Sequence, residues 1–207
     1  MTFRSNSFDF FTTPKSCENY AVTVRLSGSN QGGFRPSLRV LIKQQLHILS
    51  KADHVYLTDY PFHEISQFMR NVTTLGINGG HGDLSQIKTL TNLHTLSVRN
   101  WRSQTELPAD FFSQLGNLTE LRFTNGLKTL PDVRRLTKLK VLDLSYCDDL
   151  VRIPDLSGSP ITSLNLSGCS SLAALPVLSV ETTELLRRYH SDHMGNPTDL
   201  SLKTWIH

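Results

Sequence analysis

The stretch LKVLDLSYCDDLVRIPDL, Leu139 to Leu156, constrains this chain more than any other. Its apolar positions Leu139, Leu142, Leu144, Cys147, Leu150 and Ile153 are spaced three, two, three, three and three apart. That is too uneven for one helix face and too long for one strand. A second copy resolves the conflict. ITSLNLSGCSSLAALPVL carries Ile161, Leu164, Leu166, Cys169, Leu172, Leu175 and Pro176 in the same register, 22 residues on. The pattern is a repeat.

Upstream copies follow the template L-x-x-L-x-L-x-x-(N/C)-x-x-L, of period 20–29. They are LTELRFTNG from Leu118, LHTLSVRNW from Leu93, VTTLGINGG from Val72 and ADHVYLTDY from Ala52. Taking the second apolar position as marker gives 55, 75, 96, 121, 142 and 164, in steps of 20, 21, 25, 21 and 22. The x-L-x-L-x core predicts a short strand with leucines facing inward and flanking residues facing out. Cys147 and Cys169 fall where the chain bends off the strand. Leu150 with Ile153, and Leu172 with Leu175, close the core from the opposite wall. Pro108, Pro131, Pro154 and Pro176 stop a hydrogen-bonded ladder there, which predicts an irregular or 3₁₀-like return path. The longest repeat contains LPADFFSQLGNL (107–118), with room for a short helix. A lone repeat cannot bury its leucines, so the coils must stack into a parallel sheet roughly 4.8 Å per strand.

On these residues the chain resembles leucine-rich repeat proteins. The two quoted repeats are similar to those of plant intracellular immune receptors and of bacterial type III effectors delivered into host cells. Gly80 and Tyr60 depart from the pattern, standing where Asn or Cys is expected. The resemblance implies an α/β solenoid: a curved leucine-rich repeat horseshoe with a parallel concave sheet, a 3₁₀-like convex side and an N-terminal cap. It also implies a protein partner bound on the concave strand face.

The organisation reads as an N-terminal segment and helical cap (1–50), about six repeats (51–180) and a C-terminal cap or tail (181–207). PSLRVLIKQQLHIL (36–49) has helical apolar spacing, starting at Pro36 and Ser37. NYAVTVRLSG alternates Tyr20, Val22, Val24 and Leu26, a strand signal, and SGSNQGG (27–33) reads as a turn or linker. Residues 1–16 read as poorly ordered. VETTELLRRYH (180–190) reads as helical, with Thr182 or Thr183 as N-cap.

Outward strand positions fall into columns. The central one is Tyr56, Gly76, Ser97, Arg122, Asp143 and Asn165, and the next is Thr58, Asn78, Arg99, Thr124, Ser145 and Ser167. Beside it lie Asp59, Gly79, Asn100, Asn125, Tyr146 and Gly168. Arginine and aromatic residues dominate binding hot spots. Tyr56, Arg99, Trp101, Arg122, Asp143 and Tyr146 are therefore the candidate partner contacts, with Trp101 expected half exposed at a bend. Glu120 and Asp143 flank Arg122, so an internal ion pair is expected to engage it. Cys147 and Cys169 read as a buried thiol ladder and not as a disulfide or metal site, since no His or Asp column accompanies them. Cys17 has no nearby base to make it a nucleophile. His190, Asp192 and His193 lack a fourth metal ligand. The sequons at Asn71, Asn117 and Asn165 read as chance matches.

Composition narrows the function classes. Apolar content of 38% and charged content of 19% allow a packed core, and a net charge of +3 without a long Lys/Arg run gives no nucleic-acid tail. Three cysteines in 207 residues are no disulfide framework. The N-terminus lacks an apolar h-region, and no stretch approaches the roughly 18 apolar residues of a membrane span. The expectation is a non-enzymatic protein-binding module with no cofactor, no metal, no nucleic acid and no membrane contact. It would act in the cytoplasm, or in a host cytoplasm if the chain is a bacterial effector. The alternative is the substrate-recognition part of a ubiquitin ligase or other enzyme whose catalytic domain is absent. Arg99 and Arg122 would carry a third reading, nucleic-acid binding.

Overall fold

The computed structural model describes residues 8–14, 20–27, 43–59, 62–80, 83–101 and 105–184. The predicted strands form, one per repeat: β3 (His54–Thr58), β4 (Thr74–Asn78), β5 (Thr95–Arg99), β7 (Glu120–Thr124), β9 (Val141–Asp143) and β10 (Ser163–Asn165). They pair in parallel, in chain order, within one eight-stranded sheet. The pairing puts Val55, Leu75, Leu96, Leu121, Leu142 and Leu164 in one register, the one the sequence spacing predicts. Inward positions such as Leu75, Leu96, Leu121 and Leu142 are fully buried, because each coil covers the next. Leu164 is only partly buried, on the last described strand.

Two strands extend the sheet at its beginning. The alternation at Tyr20–Ser27 forms β2, which pairs in parallel with β3, so the coil stack starts one strand before the first recognised repeat. Ahead of it β1 (Phe8–Pro14) pairs antiparallel with β2, from Phe8 opposite Leu26 to Pro14 opposite Tyr20. The expectation of poor order is corrected there: FDFFTT is rich in β-favouring Phe and Thr, and it covers the open edge that β2 would otherwise present. The expected cap helix is present as α1 (Lys43–Ser50), while its expected start at Pro36 and Ser37 lies outside the described residues. Leu49 of α1 and the neighbouring Ala52 are fully buried.

The return path explains the spacing of three. Among the described residues, N–H groups bond back three positions from one buried residue to the next: Ile87 to Leu84, Leu90 to Ile87, Leu93 to Leu90, then Leu136 to Val133 and Leu139 to Leu136. This is 3₁₀ geometry, with three residues per turn, so every third side chain falls on the inner wall. Apolar residues two apart belong to strands and those three apart to the return path. A short α-helix (α2, Phe62–Ile65) and two 3₁₀ segments (Ser66–Phe68, Ser85–Thr89) occupy the early coils. The short helix expected within 107–118 does not form. Phe111, Ser113, Leu115 and Leu118 instead bond back three residues each, and the Phe111 and Phe112 rings pack edge to face, 5.0 Å apart and fully buried. The same region carries a two-stranded parallel ladder of β6 (Thr105–Glu106) with β8 (Leu127–Thr129).

At the far end a helical turn begins at 180. Its N-cap is Ser179, whose hydroxyl accepts the Thr182 N–H at 3.1 Å, not Thr182 or Thr183 as expected. Thr183 supplies the first helical bond, its N–H donating to the Ser179 carbonyl at 2.9 Å.

Candidate functional site

Tyr56, Gly76, Ser97, Arg122, Asp143 and Asn165 are mutual register partners across the sheet, and Arg25 of β2 extends the column by one. The face holds a depression of about 470 Å³ whose lining includes Tyr56, Gly76, Ser97, Arg99, Glu120 and Arg122. Gly76 makes room for the Tyr56 ring: a Cβ there would stand 2.6 Å from Tyr56 Cδ1. The Arg25 guanidinium lies 5.6 Å from the centroid of the same ring, a cation–π contact. Arg122 pairs with Glu120 at 3.3 Å, and their side chains are 35% and 37% exposed. The expected ion pair therefore exists, with Glu120 as partner; at such exposure it contributes about 0–1 kcal/mol. The Arg99 side chain is exposed and makes no hydrogen bond or ion pair among the described residues.

The third column has a property that its sequence hides. Asp59, Gly79, Asn100, Asn125, Tyr146 and Gly168 all adopt left-handed backbone conformations, with φ from 49° at Asp59 to 76° at Gly168. Each of the first five donates its N–H to the carbonyl just before the corresponding residue of the next coil, from Asp59 to Asn78 at 2.9 Å through Tyr146 to Ser167 at 2.7 Å. This is where every strand turns into its return path. Gly, Asn and Asp tolerate the conformation, whereas an aromatic residue pays for it. Tyr146 does so while 60% exposed. The amides of Asn78, Asn100 and Asn125 form a ladder along the same rim, with bonds of 3.0 and 2.8 Å.

One residue further on stand Gly80, Trp101, Gly126, Cys147 and Cys169 in successive coils. The thiols of Cys147 and Cys169 donate to Phe123 and Leu144 carbonyls of the preceding coil at 3.3 and 3.0 Å. Both are free and fully buried. Burial raises both thiols, Cys169 to about 11, so neither is a nucleophile at neutral pH. Trp101 occupies the equivalent position and is 5% exposed, which corrects the half-exposed expectation. Its ring fills space that Gly80 vacates, where a Cβ would lie 3.0 Å from the ring, while a Cβ on Gly126 would lie 2.9 Å from the Trp101 backbone carbonyl. The indole N–H, unlike the thiols, finds no partner among the described residues.

Asp143 has a local job. Its carboxylate accepts the Ser145 N–H at 3.0 Å, and Asn165 accepts the Ser167 N–H at 3.1 Å one coil later. These turns divert the backbone from the ladder, which accounts for three-residue β9 and β10 beside five-residue neighbours. The structure thus divides the six predicted contacts. Tyr56, Arg99 and Arg122 share the face depression. Trp101 and Tyr146 line a second hollow of about 490 Å³ at the rim, with Asn100, Asn125, Gly126, Asp148 and Asp149. Asp143 lines neither. The rim hollow was missed in the sequence because its residues come from three coils and from bends, where no strand alternation marks direction.

Sequon residues Asn71 and Asn117 donate their amides to Ser50 and Thr91 carbonyls across coils, at 2.9 and 3.2 Å. No group of three or more metal-binding side chains assembles among the described residues. No helix among them is long and apolar enough to cross a membrane. Cys17, His190, Asp192 and His193 lie outside the described residues.

No family model matches the sequence. The chain is 36% identical over 143 residues to Protein SUPPRESSOR OF npr1-1, CONSTITUTIVE 1 of Arabidopsis thaliana, covering 66% of this chain and 10% of that protein. It therefore spans about a tenth of the length of this curated relative. Solenoid architecture and relationship to a much longer plant protein are consistent with the repeat reading.

Proposed function

We propose that this chain is a non-enzymatic leucine-rich repeat module that binds a protein through the concave face of its sheet. The observation that carries the reading is Arg99: an exposed arginine with an unpaired side chain in a depression whose lining also includes Tyr56, Arg122 and the Glu120 that pairs with Arg122. Arginine and tyrosine in such a hollow are the side chains that most often anchor a partner. The backbone beneath them is fixed by ladders on both sides, so binding costs little ordering entropy. The plant relative favours the plant setting over the bacterial-effector one, and on this reading the chain acts inside a plant cell.

The test is capture of partners from plant-cell extract by the intact chain, by Arg99→Glu/Arg122→Glu, and by Arg134→Glu as a charge change away from the depression. Wild type and Arg134→Glu should retain the same partners and the double variant should lose them. Retention of every partner by the double variant would show the face assignment to be wrong.

A further inference from the structure

The face depression is uneven in charge. Its ionised lining residues are Arg99, Glu120 and Arg122, two cations against one anion. At the opposite end, beyond Tyr56, Arg25 adds another positive charge against the tyrosine ring. Between the two ends the floor carries Thr74, Gly76, Thr95 and Ser97, outward positions of β4 and β5. Leu57, Leu75 and Ile77 beneath it are almost completely buried, so Tyr56 is the one exposed large apolar side chain in the lining.

The two lining arginines are placed to act together. Ser97 is the register partner of Arg122, and Arg99 that of Thr124. Arg99 and Arg122 therefore stand diagonally on adjacent strands, and strand spacing with rise puts their Cα atoms roughly 8 Å apart. Two side chains of that length reach one carboxylate between them. Their engagements differ. The Arg99 side chain makes no hydrogen bond or ion pair among the described residues, whereas Arg122 pairs with Glu120 of its own strand at 3.3 Å. Glu120 thus occupies a side of Arg122 that an incoming carboxylate would take, and with both partners more than a third exposed the pair exchanges readily. Asp143, the register partner of Arg122 on β9, accepts the Ser145 N–H and lies outside the lining.

We propose that the depression recognises an aspartate or glutamate side chain on an acidic segment of the partner, bound between Arg99 and Arg122, with Glu120 as the internal anion it displaces. Guanidinium groups hold carboxylates through paired, charge-assisted hydrogen bonds, and the Thr74, Thr95 and Ser97 hydroxyls supply further donors on the floor. A basic segment meets two like charges, and an apolar one finds only the Tyr56 ring. A nucleic acid needs a series of phosphate contacts, and the lining offers two arginines interrupted by Glu120. The proposal rests on the reading of this face as the protein-binding surface and names the chemistry that the surface selects.

The test follows the Arg99 side-chain Nε–H signal of the isotopically labelled full chain by nuclear magnetic resonance, the signal being identified by its loss in Arg99→Lys. Titration with acetyl-Gly-Glu-Gly-Glu-Gly-amide at low salt should move it saturably, with a Kd of about 1 mM. The glutamine analogue should bind at least about tenfold more weakly. Arg122→Gln should weaken the acidic peptide and Glu120→Gln should tighten it, each by about two- to fivefold. Added salt should weaken it. Equal shifts from the two peptides, no saturable shift in the folded wild type, or an unchanged affinity in Glu120→Gln would overturn the proposal. So would tighter binding of an oligothymidylate of matched charge, which would mark the face as a phosphate-binding surface. Partner capture lost in Arg99→Glu/Arg122→Glu, with no response to the acidic peptide, sinks acid recognition and leaves the protein-binding reading standing. A normal peptide titration, with capture unchanged by that double variant, instead overturns the reading of this face as the partner's docking surface.

Discussion

The ring of Tyr146 rests on Gly168 of the next coil, where an added methyl would stand 2.7 Å from Tyr146 Cδ1. Tyr56 and Gly76 repeat the relationship four coils earlier, with a corresponding distance of 2.6 Å. The two glycines nevertheless differ, because only Gly168 combines the close ring with a positive φ, of 76°.

That difference gives a prediction. Gly168→Ala should destabilise the chain by roughly 1–3 kcal/mol, from left-handed backbone strain added to the ring clash. Gly76→Ala meets only a side chain 39% exposed, which can turn aside, and should cost less than about 1 kcal/mol. Urea unfolding of both variants measures the gap. Equal costs would mean that the ring and not the backbone decides.

Trp101 should behave as two separable parts. Trp101→Ala empties the space against Gly80 and should cost about 3–5 kcal/mol. Trp101→Phe keeps most of the ring and removes the unpartnered N–H, whose burial costs about 1–3 kcal/mol. Its net cost should therefore fall well below that of the alanine variant, under about 1.5 kcal/mol. A phenylalanine variant as unstable as the alanine variant would show that the indole N–H is satisfied in solution.

Much of this was legible in the sequence because strand burial writes itself as alternation. Leu142 and Leu144 could face only one way, so the register of β9 with β7 and β10 followed from spacing alone. The column of left-handed residues was not legible. Asp59, Gly79 and Tyr146 share no side-chain chemistry, and what unites them is a backbone angle imposed by the turn. The burial of Trp101 is hidden for a related reason: its ring packs on Gly80, which lies 21 residues away and looks unremarkable until the coils are stacked. Ser179, Thr182 and Thr183 are all N-cap residue types within four positions of one another, and only the hydrogen bond from Thr182 to the Ser179 hydroxyl singles out Ser179.

The two buried thiols carry a prediction in pH. Cys169 ionises near 11 in the fold in place of about 9, chiefly because burial disfavours the thiolate. Its folded pKa is raised, so its contribution to stability is fully present below about pH 9 and is lost as pH climbs toward 11. In a Cys17→Ser background, with Cys147 and Cys169 the remaining cysteines of three, a thiol reagent at pH 8 should label nothing in the native chain and both thiols in urea. Cys147→Ser/Cys169→Ser keeps both hydrogen-bond donors to Phe123 and Leu144. It should fold with a loss of no more than roughly 1–2 kcal/mol and show a flatter stability curve above pH 9. Rapid native labelling at pH 8 would mean that these coils open readily, and the thiol ladder would then not be holding the last two described strands together.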